Sequence, residues 1–168
     1  MKRMELKEAE GELLEQIAQL AEQIWHEHYD ALLGTDQVNY MVEHFQSLPA
    51  MRRQIKEEGY CYRGVIAQGC LCGYVATVRR PDHLFLSKLY LHARARGAHL
   101  ATRILEQLKK EARSCGGRIV LTVNRYNANS IAVYRHLGFH CIREEKTPIG
   151  GGYFMDDYIM ALDCGQGE

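Results

Sequence analysis

Two short stretches hold residues whose types and order could do chemistry. Arg96-Gly97-Ala98-His99-Leu100-Ala101 follows the apolar run Leu84-Phe85-Leu86-Ser87-Lys88-Leu89-Tyr90-Leu91 and opens a helical pattern. A turn that leaves a strand and enters a helix presents backbone N–H groups with no intrahelical partner. Those donors and the helix dipole favour an anion such as a pyrophosphate, and small residues let the ligand come close to the backbone. An arginine, a glycine and two alanines suit that role, and suit an ordinary helix start with a solvated arginine equally well. The second stretch, Asn124-Arg125-Tyr126-Asn127, follows a strand over 119–123 and precedes a helix closing on Tyr134-Arg135-His136-Leu137-Gly138-Phe139. Both turns sit where strands end and helices begin, which is where α/β proteins place ligands. On pattern alone, Tyr134 reads as an amphipathic core tyrosine beside Gly138-Phe139.

The elements that position these turns follow from apolar periodicity. A short strand over 4–9 precedes a helix from Leu13, in which Leu13, Leu14, Ile17, Leu20, Ala21, Ile24 and Trp25 recur at helical spacing. It ends on Trp25-His26-Glu27-His28-Tyr29, with a break at Gly34. A second helix spans 37–46, capped by Thr35 or Asp36, and a third spans 50–57 behind Pro49. Strands over 60–66, 71–78 and 83–91 read as an antiparallel meander. A helix over 98–114 stops at Cys115-Gly116-Gly117. It makes the strand at 118–123 parallel to the one before it through a right-handed crossover. Two last strands, 139–146 and 153–162, flank Gly150-Gly151-Gly152.

Composition bounds the function classes. A length of 168 residues fits one domain, 1–168, with a core of its own, and 46% hydrophobic against 25% charged content places it among globular chains. Lys plus Arg equals Asp plus Glu at 21 each, which argues against a nucleic-acid-binding surface. The six cysteines form no Cys-x-x-Cys pair, and no histidine cluster has zinc-ligand spacing, so no metal is expected. Buried thiols in a reducing cytosol are the expectation. The N-terminus lacks the apolar core of a signal peptide, and no apolar run reaches membrane-spanning length. A soluble cytoplasmic protein with no membrane partner follows as the expectation.

Taken together, the two turns resemble the GCN5-related N-acetyltransferases (GNAT), in particular a bacterial-type subgroup of unassigned substrate. The family's acyl-CoA-binding motif is Arg or Gln, two residues, Gly, one residue, then Gly or Ala. Arg96, Leu100 and Ala101 match it, and Gly97 is the usual residue after the arginine. His99 stands where the family has glycine; its amide can donate if the backbone keeps helical angles. Val123-Asn124-Arg125-Tyr126-Asn127, then Ser130-Ile131-Ala132-Val133-Tyr134 and Gly138-Phe139, resembles the family's second motif, with Ser130 in place of alanine. The resemblance covers roughly the second two-thirds of the chain.

It implies an α/β (α+β) fold: a mixed, mostly antiparallel central sheet with a parallel splayed strand pair, and helices on both faces. It implies acetyl-CoA as co-substrate, without a metal. Backbone groups of Leu89, Tyr90 and Leu91 would pair with the pantetheine arm. The amides of Arg96, Gly97, Ala98, His99, Leu100 and Ala101 would hold the pyrophosphate, and Asn127 would contact the cofactor. Tyr134 would protonate the departing thiolate as general acid. The acceptor would be a primary amine on a small molecule or peptide, with a homodimer possible through the C-terminal strands. A non-catalytic acyl-CoA-binding regulatory module is the alternative.

For the acceptor side, Trp25, His28 and Tyr29 at the end of the first helix are candidates. So are Lys88 and Tyr90 on the strand, and Tyr153, Asp156 and Asp157 late in the chain. Of these, His28, Tyr29 and Asp156 are singled out, with His28 a guess for the base. Trp25 reads more naturally as core packing.

Overall fold

The apolar period that opens near Leu13 becomes one long helix. In the structure, a computed structural model that describes residues 3–96 and 99–165, this helix is α1, Gly11–Leu33. Its buried stripe is Leu14, Ile17, Ala21, Ile24, Trp25 and Tyr29, the spacing that turns one helix face to a core. It outlasts the span read from sequence because Gly34, with φ of 86°, provides the stop, its N–H donating to the Asp30 carbonyl at 2.9 Å.

The next segment departs from expectation. Helix α2 is Thr35–Met41, and the chain then widens into a π-helical turn, Val42–Gln46, where the sequence reads as one uniform helix. Widening aims its groups at specific partners: the Gln46 side chain accepts from the Tyr74 hydroxyl at 2.9 Å, and the His44 and Phe45 carbonyls accept from Arg53 and Gln54. Helix α3, Leu48–Glu57, starts from Ser47, whose hydroxyl accepts from the Ala50 N–H at 3.3 Å.

Seven strands form one sheet: β1 Met4–Glu8, β2 Cys61–Ala67, β3 Cys70–Arg79, β4 Leu84–Leu91, β5 Arg118–Asn124, β6 His140–Gly150 and β7 Tyr153–Asp163. Their order is β1-β2-β3-β4-β5-β7-β6. The β2–β3 pair is antiparallel and the β4–β5 pair is parallel, as the meander and crossover readings predict, and β1 pairs antiparallel with β2. Strand β7 lies between β5 and β6, antiparallel to both. This is a mixed α/β sheet, mostly antiparallel with one parallel pair. The remaining helices are α4, Leu100–Ala112, and α5, Ala128–His136.

By contacts the chain divides into two units, Met1–Val78 with Lys88–Leu100, and Arg79–Ser87 with Ala101–Glu168. The first has a core of Leu14, Ile17, Ala21, Ile24, Met51, Tyr62, Tyr74 and Ala76. In it Gly73 admits the Tyr90 carbonyl; a Cβ at 73 would also stand 2.7 Å from Leu91 Cδ2 and 3.2 Å from Leu91 Cα. The second unit buries Leu84, Leu86, Ile104, Leu108, Ile119 and Leu121. Gly116, φ 93°, closes α4, and a Cβ there would stand 2.8 Å from Asp82 Cα. The stop expected at Cys115-Gly116-Gly117 therefore reflects a close backbone approach as well as helix termination.

Candidate functional site

The end of β4 leads into the first turn. Leu84, Phe85 and Leu86 pair with Ile119, Val120 and Leu121 of β5, and β4 then runs on through Leu91. At Tyr90 the strand turns its carbonyl toward Gly73, and the His92 N–H donates to the Cys72 carbonyl at 2.7 Å. A 3₁₀ turn, Ala93–Ala95, follows, with the His92 ring accepting from the Arg94 N–H at 3.2 Å. Arg96 is exposed, and its Nη2 donates to His28 Nδ1 at 3.1 Å. Gly97 and Ala98 lie outside the described residues. His99 corrects an expectation: its φ is 57°, the left-handed region, and not the helical angles the sequence reading required. Histidine is among the non-glycine residues that tolerate this region, at a cost. Leu100 is buried and begins α4.

Trp25, Tyr29 and Tyr90 gather in the same unit. Trp25 and Tyr29 are both buried, with ring centroids 4.6 Å apart, and Trp25 also lies 5.5 Å from Tyr90. The His28 and Tyr29 rings form a T-shaped pair with centroids 5.1 Å apart. His28, named for the acceptor, is thus joined to Arg96, named for the cofactor. Burial, then the Arg96 charge, lowers the His28 pKa below that of an ordinary histidine.

The second turn is built from its own side chains. Asn124 Oδ1 accepts from the Tyr126 N–H at 2.9 Å, and the Asn127 N–H donates to the Asn124 carbonyl at 3.0 Å. Asn127, 8% exposed, caps α5 by accepting from the Ser130 N–H at 3.3 Å. Arg125 pairs with Asp156 at 2.8 Å and Glu144 at 3.1 Å, and its N–H donates to the Asp156 carbonyl at 3.0 Å. The Asp156 carboxylate is therefore already balanced by a guanidinium. Its neighbour Asp157 is buried; desolvation, then repulsion from Asp156 and Glu145, raises its pKa to about 6. Tyr134 is half-buried on α5 and forms a T-shaped pair with Phe139, ring centroids 5.5 Å apart.

A polar group whose partners sequence reasoning missed lies inside the first unit. Lys88 is 5% exposed, and its Nζ donates to Gln54 Oε1 at 3.1 Å and to the Phe45 carbonyl and Tyr62 hydroxyl at short range. Tyr62 in turn donates to Gln54 Oε1. The Tyr62 and Tyr60 rings lie 5.1 and 5.9 Å from Nζ. Desolvation lowers the Lys88 pKa to about 7, while Glu58 raises it and Arg53 lowers it further. Both protonation states can be satisfied. The ammonium donates to three oxygens; the neutral amine keeps two of those bonds and accepts from a rotated Tyr62 hydroxyl. The only sequence signal was a lysine inside an apolar strand. Among the described residues, no cluster of His, Cys, Asp or Glu could hold a metal ion, and no helix is long and apolar enough to cross a membrane.

Comparison with known proteins bears on this arrangement. The model of the acetyltransferase (GNAT) family matches residues 14–139. An "IAA acetyltransferase" of Azospirillum brasilense is 32% identical over 80 residues, which are 47% of this chain and 50% of that protein, so the match spans half the relative's length. Among solved structures, the PaiA N-acetyltransferase of Thermoplasma acidophilum, in complex with coenzyme A, superposes with a TM-score of 0.76. It is 19% identical, with 96% of this chain and 99% of that one covered. The ribosomal-protein-S18-alanine N-acetyltransferase of Escherichia coli gives a TM-score of 0.66 at 20% identity, over 99% and 97% of the two chains. At such identities the structural likeness is one of fold.

Proposed function

This chain belongs to the acetyltransferase (GNAT) family, and we propose that it moves an acetyl group from acetyl-CoA to a primary amine by direct transfer. One observation carries the proposal: β4 continues past the residues it pairs with on β5, then runs into a turn with an exposed arginine at the start of α4. The donor set suits a thioester joined to a pyrophosphate. An extended arm pairs with strand backbone, here at Leu89 and Leu91 on either side of Tyr90, and an anion suits Arg96 with the amides of His99, Leu100 and Ala101. The likeness to a structure that holds coenzyme A over nearly the full chain supports the same donor.

The chemistry asks little more of the protein. A backbone N–H of β4 stabilises the oxyanion formed as the neutral amine attacks. Tyr134 gives its hydroxyl proton to the departing thiolate. Asn127 contacts the cofactor from the start of α5. No covalent enzyme intermediate is needed. His28, Tyr29 and Asp156 stand on the acceptor side, and the acceptor is a small molecule or a peptide amine.

The test is thiol release from acetyl-CoA against a panel of polyamines, amino acids, aminoglycosides and peptides, with Tyr134→Phe alongside. We expect turnover on a primary amine, with kcat reduced on the order of 100-fold by Tyr134→Phe and little change in KM for acetyl-CoA. Full turnover by the phenylalanine variant would remove Tyr134 as the acid. Acetyl-CoA that binds yet never yields thiol would replace the enzyme by a regulatory binding module.

A further inference from the structure

The Arg96–His28 contact joins two residues 68 positions apart, and it determines what the histidine can do. A guanidinium only donates, so the His28 Nδ1 it touches must be unprotonated, and a neutral ring then carries its proton on Nε2. In this state His28 has no lone pair left to accept a proton. A second tie from the same helix, Gln23 to His92 at 3.2 Å, holds the chain segment that leads to Arg96 alongside α1. The nearby carboxylates of α1 are engaged elsewhere: Glu27 accepts from Gln23 at 3.1 Å, and Asp30 pairs with His26 at 2.8 Å. Arg96 is the charged group that acts on His28, and the Tyr29 ring packs against it in a T-shaped pair. Ring contacts from Tyr29 through Trp25 reach Tyr90, between the two β4 leucines proposed to hold the thioester arm.

We propose that Arg96 gates His28: without cofactor it occupies the Nδ1 lone pair, and on turning to the bound pyrophosphate it releases that lone pair as the base for the acceptor ammonium. This rests on the acetyl-CoA reading given above. The proton balance is simple. An N–H bond of the ammonium breaks and an Nδ1–H bond forms, leaving a neutral amine to attack; the imidazolium later returns this proton to solvent. The second N–H proton, lost as the amide forms, leaves with sulfur as thiol by way of Tyr134. The gate orders the reaction, since the base is competent only once the donor is in place.

The linkage is reciprocal, which gives the test two opposite signs. The histidine ring signals of the full chain are titrated by NMR with and without CoA, the thiol product, while CoA binding is measured by calorimetry. The His28 midpoint should lie below that of an exposed histidine and rise when CoA binds. Arg96→Gln should raise the midpoint of the CoA-free protein and abolish the CoA-induced rise. His28→Phe, which removes a competitor for Arg96, should bind CoA tighter by about threefold to tenfold, the value of one released hydrogen bond, while losing the acidic limb of the kcat/KM profile. CoA that binds with the His28 midpoint unmoved, or weaker CoA binding by His28→Phe, overturns the gate and spares the cofactor reading. No CoA binding at all overturns both.

Discussion

The two strand-to-helix turns solve the same geometric problem by different means. After β5, the turn closes on itself: Asn124 and Asn127 accept from N–H groups two and three residues ahead, and Arg125 fastens the turn to β7 and to Glu144 of β6. After β4, the described residues show a 3₁₀ turn, an exposed arginine directed to a helix far away in sequence, and a histidine with φ of 57°. One turn is completed by local side-chain chemistry. The other commits its cation to a distant partner and holds its backbone in a costly conformation. A turn of the second kind is better suited to rearrange around a ligand, because its contacts can be exchanged without unpicking the fold.

The strand that leads into the strained turn gives the largest expected effect. Lys88 titrates near 7 in the folded chain against 10.5 unfolded. Its folded pKa is depressed, so the unfolded state binds more protons between those values and stability rises with pH across that window. Below about 7 both states are protonated and the dependence disappears. Lys88→Met removes this term along with the hydrogen bonds, so the informative quantity is a difference curve from urea unfolding. The stability of wild type relative to Lys88→Met should rise by on the order of 2 kcal/mol from pH 7 to pH 9. A flat difference would mean that Lys88 remains charged, held as a simple pin for the Phe45 carbonyl.

The self-contained turn gives the next effect. Asn127→Ala deletes the cap on Ser130 and should cost about 1 kcal/mol, seen as a lower urea midpoint with unchanged slope. Because the turn is built locally, the loss should be matched by Asn127→Leu and restored in part by Asn127→Ser, which can cap again. An Asn127→Ser variant as unstable as the alanine one would mean that the cap is not what the side chain contributes, and the contrast between the turns would weaken.

This difference also explains what was legible in the sequence. The second turn could be read as a polar turn between strand and helix because its residues lie close together in sequence; that Asn127 caps α5 is seen only in the structure. The meander and the parallel pair were legible for the same reason: short connections force neighbours together, and a helical crossover forces parallel strands. What stayed hidden depends on distant partners. Lys88 meets Phe45, Gln54 and Tyr62 across separations of 43, 34 and 26 residues. The π-helical turn meets donors from Arg53, Gln54, Tyr74 and Lys88, none of them within the turn, so its sequence reads as plain helix. The place of β7 between β5 and β6 is a matter of sheet order, which a hairpin turn alone does not determine. His99 was recognised as a misfit, but its consequence lay in a backbone angle that periodicity does not report.

His99 carries the smallest effect and the sharpest sign. Its φ of 57° is open to glycine at no steric cost, tolerated by histidine, and hard for a β-branched residue. Replacing it with glycine relieves strain worth about 1 kcal/mol in the folded chain, but loosens the unfolded chain by somewhat less. His99→Gly should therefore be more stable than wild type by about 0.5 kcal/mol, whereas His99→Val should be less stable by about 1 kcal/mol or more. Both variants make the side chain smaller, so a side chain that mattered by its contacts would make both destabilising. Opposite signs would place the cost in the backbone. The comparison then extends to CoA binding. If the strained conformation is the one that presents the amide to a phosphate, His99→Val should bind CoA more weakly than His99→Gly, even at temperatures where both are fully folded.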